Sequence, residues 1–294
     1  MKKLTVLVGP AGSGKSSFSY DKIYDDSTNG LNVVYISQDS QGKERHKRFF
    51  QEALSKGHDI IIDRMNFNKE QRARYIVPAK ELRYEVTIHV FHVPKNECLK
   101  RMSKREDHPT IKTSEDASRA LSTFFSKYEK PTPDEGIIVN HGWDNKKNPS
   151  KAICVDLDGC LCNIEHRLHH VRGEGKKDWG SFFDEIPNDT VNEAVVEVLN
   201  KFKLDSHIIL CSGRPDNHRR TTETWLNKHD IYFSSLLMRP RNDNRQDSIV
   251  KEIILDFEIK TQYDVLFWLD DRQQVVNKIR KNGIKVFQVA PGDF

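Results

Sequence analysis

The sequence predicts an α/β protein of two doubly wound parallel-sheet domains, the second carrying a small inserted cap. Three observations lead there. The chain has 294 residues, enough for two domains that each bury a core of their own. Apolar, strand-like runs alternate with helically periodic stretches in two successive sets. Between the sets, Pro131, Pro133, Gly136, Asn140 and Pro149 crowd a stretch without periodicity, which reads as a linker, and the boundary is placed at 147/148.

In the first set the predicted strands are 4–8, 33–37, 59–63 and 85–91. The helices between and after them are 15–24, 43–54, 69–82 and 95–104, and a further helix at 114–127 closes the half. In the second set the strands are 152–155, 206–211, a short one at 236–238, 264–269 and 285–288, with helices at 191–203, 217–228, 247–257 and 272–282. The polar, histidine-rich segment 163–187 interrupts the first crossover of this set and reads as the cap. The order β-α-β-α requires parallel strands, because each return to the sheet passes through a helix on its face. The two halves show no repeat of one another.

Composition excludes several classes. With 36% hydrophobic and 31% charged residues and no run of eighteen apolar residues, the chain is expected to be soluble, without a membrane span. The apolar run 4–8 is too short for a signal-peptide core. Five cysteines, odd in number and without zinc-type pairing, read as reduced thiols of a cytoplasmic protein. A net charge of +4 permits a polyanionic partner without demanding one.

Gly9-Pro10-Ala11-Gly12-Ser13-Gly14-Lys15-Ser16 fits G-x-x-x-x-G-K-[ST], straight after a predicted strand and opening a predicted helix. The glycines let successive backbone N–H groups turn inward around a phosphate, and the helix N-terminus adds its positive end. Lys15 is placed to bridge the β- and γ-phosphates of ATP, and the Ser16 hydroxyl to ligate Mg²⁺. Such an octapeptide arises by chance in roughly one chain in a hundred of this length, so the first domain is expected to be P-loop NTPase-like. No N-K-x-D guanine motif is present in the P-loop half of the chain. Asp39 follows the second strand, where a carboxylate can take the proton of an attacking hydroxyl, the base a kinase needs. Asp63 ends the third strand and is placed to orient substrate or metal, or to cap the next helix. Arg101 and Arg105 lie four apart on one helical face in the position of a lid, where an arginine neutralises charge on a transferred phosphoryl group.

In the second half, Asp156-Leu157-Asp158-Gly159 follows a buried strand directly. Two adjacent carboxylates there repel one another, and a divalent cation relieves the cost. The arrangement fits Asp156 as nucleophile and Asp158 as the acid/base for the leaving oxygen and then for water. Ser212 with Gly213-Arg214, Lys251 and Asp270-Asp271 follow at later strand ends or helix starts. That is the order of stations a haloacid dehalogenase-type phosphatase requires. An EF-hand is excluded because no glutamate closes the loop.

Joined in this order, the two motif sets resemble the T-even phage-type 5′-polynucleotide kinase / 3′-phosphatase family over essentially the whole chain. On that resemblance the kinase positions are Lys15, Ser16, Asp39, Asp63 and Arg105. The phosphatase positions are Asp156, Asp158, Arg167, Arg214, Asp247, Lys251 and Asp271, with Asp156, Asp158 and Asp271 as the metal set. The resemblance implies ATP-dependent phosphorylation of 5′-hydroxyl ends and removal of 3′-phosphates, on DNA or RNA strand ends, and homo-oligomerisation, a tetramer among the candidates. Two positions depart from it. Gly42 stands where the phage pattern has an arginine, as in the animal polynucleotide kinase–phosphatases, which passes a phosphate contact to Lys43 or Arg64. Cys160 replaces a threonine whose role is to tune the acid/base.

Two other classes compete. A nucleoside-type small-molecule kinase fused to a nucleotidase would use the same motifs; the basic tracts 43–48 and 239–245 lean toward a polymer's phosphates instead. A binding module without chemistry has no use for Lys15, Asp156 and Asp158. The histidines at 166–170 lack the partner spacing of a zinc site and read as cap or loop.

Overall fold

In a computed structural model, which describes residues 2–28, 32–104, 111–143, 149–173 and 175–292, the chain forms two compact units, Met1–Asp144 and Asn145–Phe294. The boundary expected at 147/148 lies outside the described residues.

The N-terminal unit holds β1 (Lys3–Val8), β2 (Val33–Ser37), β3 (Asp59–Asp63), β4 (Glu85–Phe91) and β5 (Ile137–His141) in one parallel sheet of order β2-β3-β1-β4-β5. β1 is central and buried on both faces from Leu4 to Val8, which is why it reads as a continuous apolar run rather than an alternating one. β5 corrects the linker expectation for 131–150. Its short run Ile137-Ile138-Val139 is half exposed at the sheet edge, so it lacks the apolar length that marks an inner strand, and Pro and Asn flank it. The helix expected at 43–54 is Arg45–Lys56, and a short helix that was not expected, Gln38–Gln41, precedes it. Gly42 separates them at φ 78°, a conformation that an L side chain rarely adopts.

The C-terminal unit repeats the plan with β6 (Ser150–Val155), β9 (His207–Pro215), β10 (Ser235–Arg239), β11 (Tyr263–Asp270) and β12 (Val286–Gln288), in the order β10-β9-β6-β11-β12. A two-stranded antiparallel pair, β7 (Cys162–Asn163) and β8 (Thr190–Val191), closes the base of the cap. Between them lie a 3₁₀ turn, Glu165–His170, and a helix, Trp179–Asp184. Side chains of β6 alternate between the sheet faces. Ile153 and Val155 join one buried cluster with Leu199 and Leu226, while Ala152 and Cys154 join the other with Trp268, Val275 and Val276. Both sheets reverse their winding at the central strand, so β1 and β6 each deliver the chain into a crevice at their carboxyl ends. Among the described residues no helix is long and apolar enough to cross a membrane. All five cysteines are buried and unbridged.

Candidate active sites

At the end of β1 the glycine loop turns with Gly12 at φ 81° and Gly14 at φ 95°. A Cβ at Gly12 would collide with the Cys98 carbonyl, so both shape and packing demand glycine there. Lys15, buried, donates to the carbonyls of Gly9 (2.9 Å) and Pro10 (2.7 Å) and to the Ser13 hydroxyl (3.4 Å). Gly9 N–H donates to Met65 O, and Asn66 Nδ2 donates to Leu7 O at 2.8 Å. These two bonds tie the loop to the segment after β3. The buried pair Arg72–Glu135 (2.7 Å) holds that segment in turn, because Arg72 also donates to the Asn66 and Glu129 carbonyls.

Lys15, Ser16, Asp39, Asp63 and Arg64 line one cleft of about 320 Å³ with Gly12 and Gly14. Asp63 accepts a hydrogen bond from the Tyr35 hydroxyl at 2.7 Å. Burial, and then the Asp63 charge, raises the Tyr35 hydroxyl well above its ordinary value, so it stays a donor. Arg64 donates to the Tyr75 hydroxyl (2.8 Å), which meets His46 Nε2 at 3.1 Å, and His46 Nδ1 lies 3.0 Å from Gly42 O. A carbonyl only accepts, so Nδ1 carries the proton and Nε2 accepts from Tyr75. Burial lowers the His46 pKa, which keeps that neutral form. The turn at Gly42 is therefore linked to Arg64 through two side chains.

Some expected residues lie elsewhere. Lys43 is exposed and does not line the cleft; the Gly42 turn leads it away. Arg101 bonds Glu97 at 2.8 Å and comes near Gly14 without lining the cleft. Arg105 lies outside the described residues. Conversely, Asp116, Arg119 and Thr123, on one face of the helix Ser114–Lys127, line the cleft without having been singled out in the sequence. Their i, i+3, i+7 spacing was the available signal.

In the C-terminal unit the ladder continues past β6, with Asp156 N–H donating to Leu269 O (3.0 Å), and this sets Asp156 beside the end of β11. Lys251 Nζ lies 2.8 Å from Asp156, 2.9 Å from Asp270 and 3.2 Å from Asp247. One buried cation thus faces three carboxylates. Burial alone would lower Lys251, but Asp156, Asp247 and Asp270 hold it raised and charged. Asp156 is raised by burial, against the attraction of Lys251. Asp271 is pushed up to about 6 by burial and by Asp270.

Ligand oxygens of Asp156, Asp270 and Asp271 lie within 4.8 Å of one another, and Asp271 Oδ1 is buried without a hydrogen-bond partner. Three hard oxygen donors and an orphaned acceptor fit a divalent cation of the magnesium type. The Asp158 carboxylate is not in this group, contrary to its expected place in the metal set, and Asp270 stands there instead. Asp158 is taken by Arg214 (2.6 Å) and Arg167, both fully buried. Burial would raise Asp158, but the two guanidinium groups hold it well below the usual carboxylate range. Both arginines also bind Asp189, at 2.6 Å from Arg167 and 2.8 Å from Arg214. Asp189 is thus the fourth charge of a closed cluster. Ser212 Oγ accepts from Arg214 N–H at 3.1 Å and shapes the turn that aims this arginine. Asp247 sits against Gly213, where a Cβ would strike its carboxylate. The cap histidines also gain a partner that their sequence spacing hides, with Glu185 2.9 Å from His170.

Asp156, Asp158 and Asp247 open onto a cavity of about 580 Å³, walled on the cap side by Lys177, Trp179 and Phe183. Comparison with known proteins follows the same division. A family model described as the polynucleotide kinase PNKP phosphatase domain matches residues 150–294, and one described as an AAA domain matches residues 4–131. A putative bifunctional polynucleotide kinase/RNA ligase of Autographa californica nuclear polyhedrosis virus is 25% identical over 308 residues, covering 94% of this chain and 40% of that protein. Transcription factor bHLH140 of Arabidopsis thaliana is 28% identical over 138 residues, 46% of this chain and 15% of that protein. The chain therefore spans less than half the length of either curated relative. A solved chain from the Pnkp1/Rnl/Hen1 RNA repair complex is 28% identical, covers 100% of this chain and 97% of its own length, and has a TM-score of 0.43.

Proposed function

We propose, from the match of residues 150–294 to the PNKP phosphatase-domain model and of residues 4–131 to an AAA-domain model, that this chain heals nucleic-acid ends, as a 5′-hydroxyl kinase (1–147) joined to a 3′-phosphatase (148–294). The observation that carries the reading is the pairing of two strand-end clefts. One holds Lys15, Asp39 and Arg64, and the other Asp156 and Asp158. The substrates are DNA or RNA strand ends, with ATP as phosphate donor, and the working state is a homo-oligomer.

In the kinase half, loop N–H groups and Lys15 take the β- and γ-phosphates; Lys15 exchanges its bonds to Gly9 and Pro10 for phosphate oxygens. Asp39 accepts the proton of the 5′-hydroxyl as its oxygen attacks the γ-phosphorus and ADP leaves. Asp63, oriented by Tyr35, positions that hydroxyl, and Arg64 with Arg119 balances charge at the cleft wall.

In the phosphatase half, Asp156 attacks the 3′-phosphate and Asp158 protonates the departing 3′-oxygen. The aspartyl-phosphate is then hydrolysed by water that Asp158 deprotonates. Lys251, 2.8 Å away, opposes the effect of burial on Asp156 and favours its carboxylate form. Arg167 and Arg214 do not line the cavity, so they act by aiming Asp158. The negative charge of a bound phosphate raises Asp158 toward a working range. Asp156, Asp270 and Asp271 would hold a Mg²⁺, which would supply charge compensation for nucleophile and phosphate; Ser16 would be the matching ligand in the kinase half.

The test is selective loss. Lys15→Ala is expected to abolish labelling of a 5′-OH oligonucleotide by ATP and leave 3′-dephosphorylation intact, and Asp156→Asn to do the reverse. Loss of both activities from either substitution in a folded protein refutes the two-site reading. Strong phosphorylation of free nucleosides with none of oligonucleotides would favour the small-molecule kinase instead.

A further inference from the structure

We propose that Trp179 is a stacking platform for the terminal nucleobase of the 3′-phosphorylated strand, so that the phosphatase site reads the end as a nucleotide and not as a bare phosphate ester. The inference rests on the phosphatase reading and adds a subsite to it. The cavity in front of Asp156 and Asp158 measures about 580 Å³. That is the size of a pocket that encloses a drug-sized molecule, well beyond a phosphoryl group. Its cap wall carries Trp179, 41% exposed, a large aromatic ring at the edge of that cavity.

The ring is also held in place. Trp179 opens the helix Trp179–Asp184, which Asp178 caps by accepting from Ser181 N–H (3.1 Å) and the Ser181 hydroxyl (2.8 Å). Its edge packs at 86° against Phe182 with centroids 5.6 Å apart. Phe182 is buried beneath the Arg167 guanidinium, 4.1 Å away. Arg167 is the residue that grips Asp158, so one short helix registers the aromatic ring against the proposed acid. Phe183 lies nearly parallel to Trp179 (24°) and lines the same wall. Lys177 Nζ lies over the Trp179 ring, 5.6 Å from its centroid, where a stacking base would displace it toward the backbone phosphates, and exposed Arg241 borders the same cavity. Aromatic faces beside cations are the usual equipment for holding a single strand without sequence preference.

The experiment compares the full chain and its Trp179→Ala and Trp179→Phe variants on two oligonucleotides. One ends in a 3′-phosphorylated nucleoside; the other is identical except that its last sugar is abasic. The expected result is that the wild type favours the base-bearing end by roughly ten- to a hundredfold in kcat/KM, mostly through KM. Trp179→Ala should erase that preference, so that the base-bearing and abasic ends are hydrolysed with equal efficiency, and Trp179→Phe should keep most of it. Thermal unfolding followed by circular dichroism monitors the folding of the C-terminal unit in each variant. Hydrolysis of both ends at equal efficiency by the wild type, or a preference that survives in Trp179→Ala, overturns the inference alone. Hydrolysis of neither end by the wild type overturns the phosphatase reading and the inference together.

Discussion

Asp189→Ala is expected to destabilise the C-terminal unit severely while altering no residue of the reacting group. Arg167 and Arg214 are both wholly buried, and Asp158 and Asp189 are the carboxylates they bind. Two positive charges face two negative ones. Removing Asp189 deletes three hydrogen bonds, of 2.6, 2.7 and 2.8 Å, and half of the neutralising charge. One guanidinium is left uncompensated out of water, at a cost of about 3–5 kcal/mol. Against a total of roughly 5–15 kcal/mol, that is about a fifth or more of the unit's stability. The corresponding fall in Tm is roughly 6–20 °C. The bond from Trp225 Nε1 to the Asp189 carbonyl survives, which isolates the charge effect. Urea or thermal unfolding followed by tryptophan fluorescence reports mainly this unit, since three of the four tryptophans (Trp179, Trp225, Trp268) belong to it. The double variant Asp189→Ala with Arg167→Met restores part of the loss, because the stranded charge leaves with Arg167. Stability within about 1 kcal/mol of wild type for Asp189→Ala, or strict additivity in the double variant, refutes the reasoning.

Two other tests address the N-terminal unit. Tyr75→Phe removes the hydroxyl that joins His46 to Arg64. Loss of one such bond, about 1 kcal/mol, is expected to raise the kinase KM for a 5′-OH strand roughly fivefold and leave phosphatase kinetics alone; unchanged kinase constants would mean Arg64 is aimed by something else. His89 pairs with His141 at 2.7 Å across β4 and β5, and burial, then His141, lowers it from 6.5 to about 4. The unfolded chain takes up the proton first, so this contribution is whole above about pH 6.5 and is lost as pH falls toward 4. His89→Phe should flatten that part of the stability profile, and an unchanged slope would count against the pairing.

Much of the frame was legible in the chain because it depends on neighbours in sequence. Gly12, Gly14 and Lys15 form their loop from backbone freedom and N–H direction within eight residues, and the strand preceding them is apolar from Leu4 to Val8 except for Thr5, because both its faces are covered. The alternation of strands and helices likewise placed Asp39, Asp63 and Asp156 at strand ends, whereas Ser212, expected just past a strand end, lies inside β9 (His207–Pro215). Less was legible where identity depends on who arrives from far away. The edge strand at Ile137–His141 offered too little apolar pattern to be recognised. Nothing local says that Gly42 turns Lys43 out of the cleft, or that Asp116, Arg119 and Thr123 turn into it.

By itself, the sequence determined two parallel α/β units and the loop and paired aspartates that mark their crevices, since sterics, periodicity and backbone hydrogen bonding act over a few residues. Only the tertiary structure decided how the charges are shared. It gave Asp158 to Arg167 and Arg214, brought Asp189 to complete that cluster from 22 residues beyond Arg167, grouped Asp270 with Asp156 and Asp271, and set Trp179 on the wall facing them. A buried charge must find its partner within a few ångströms, and which residue stands at that distance is set by the packing of whole elements.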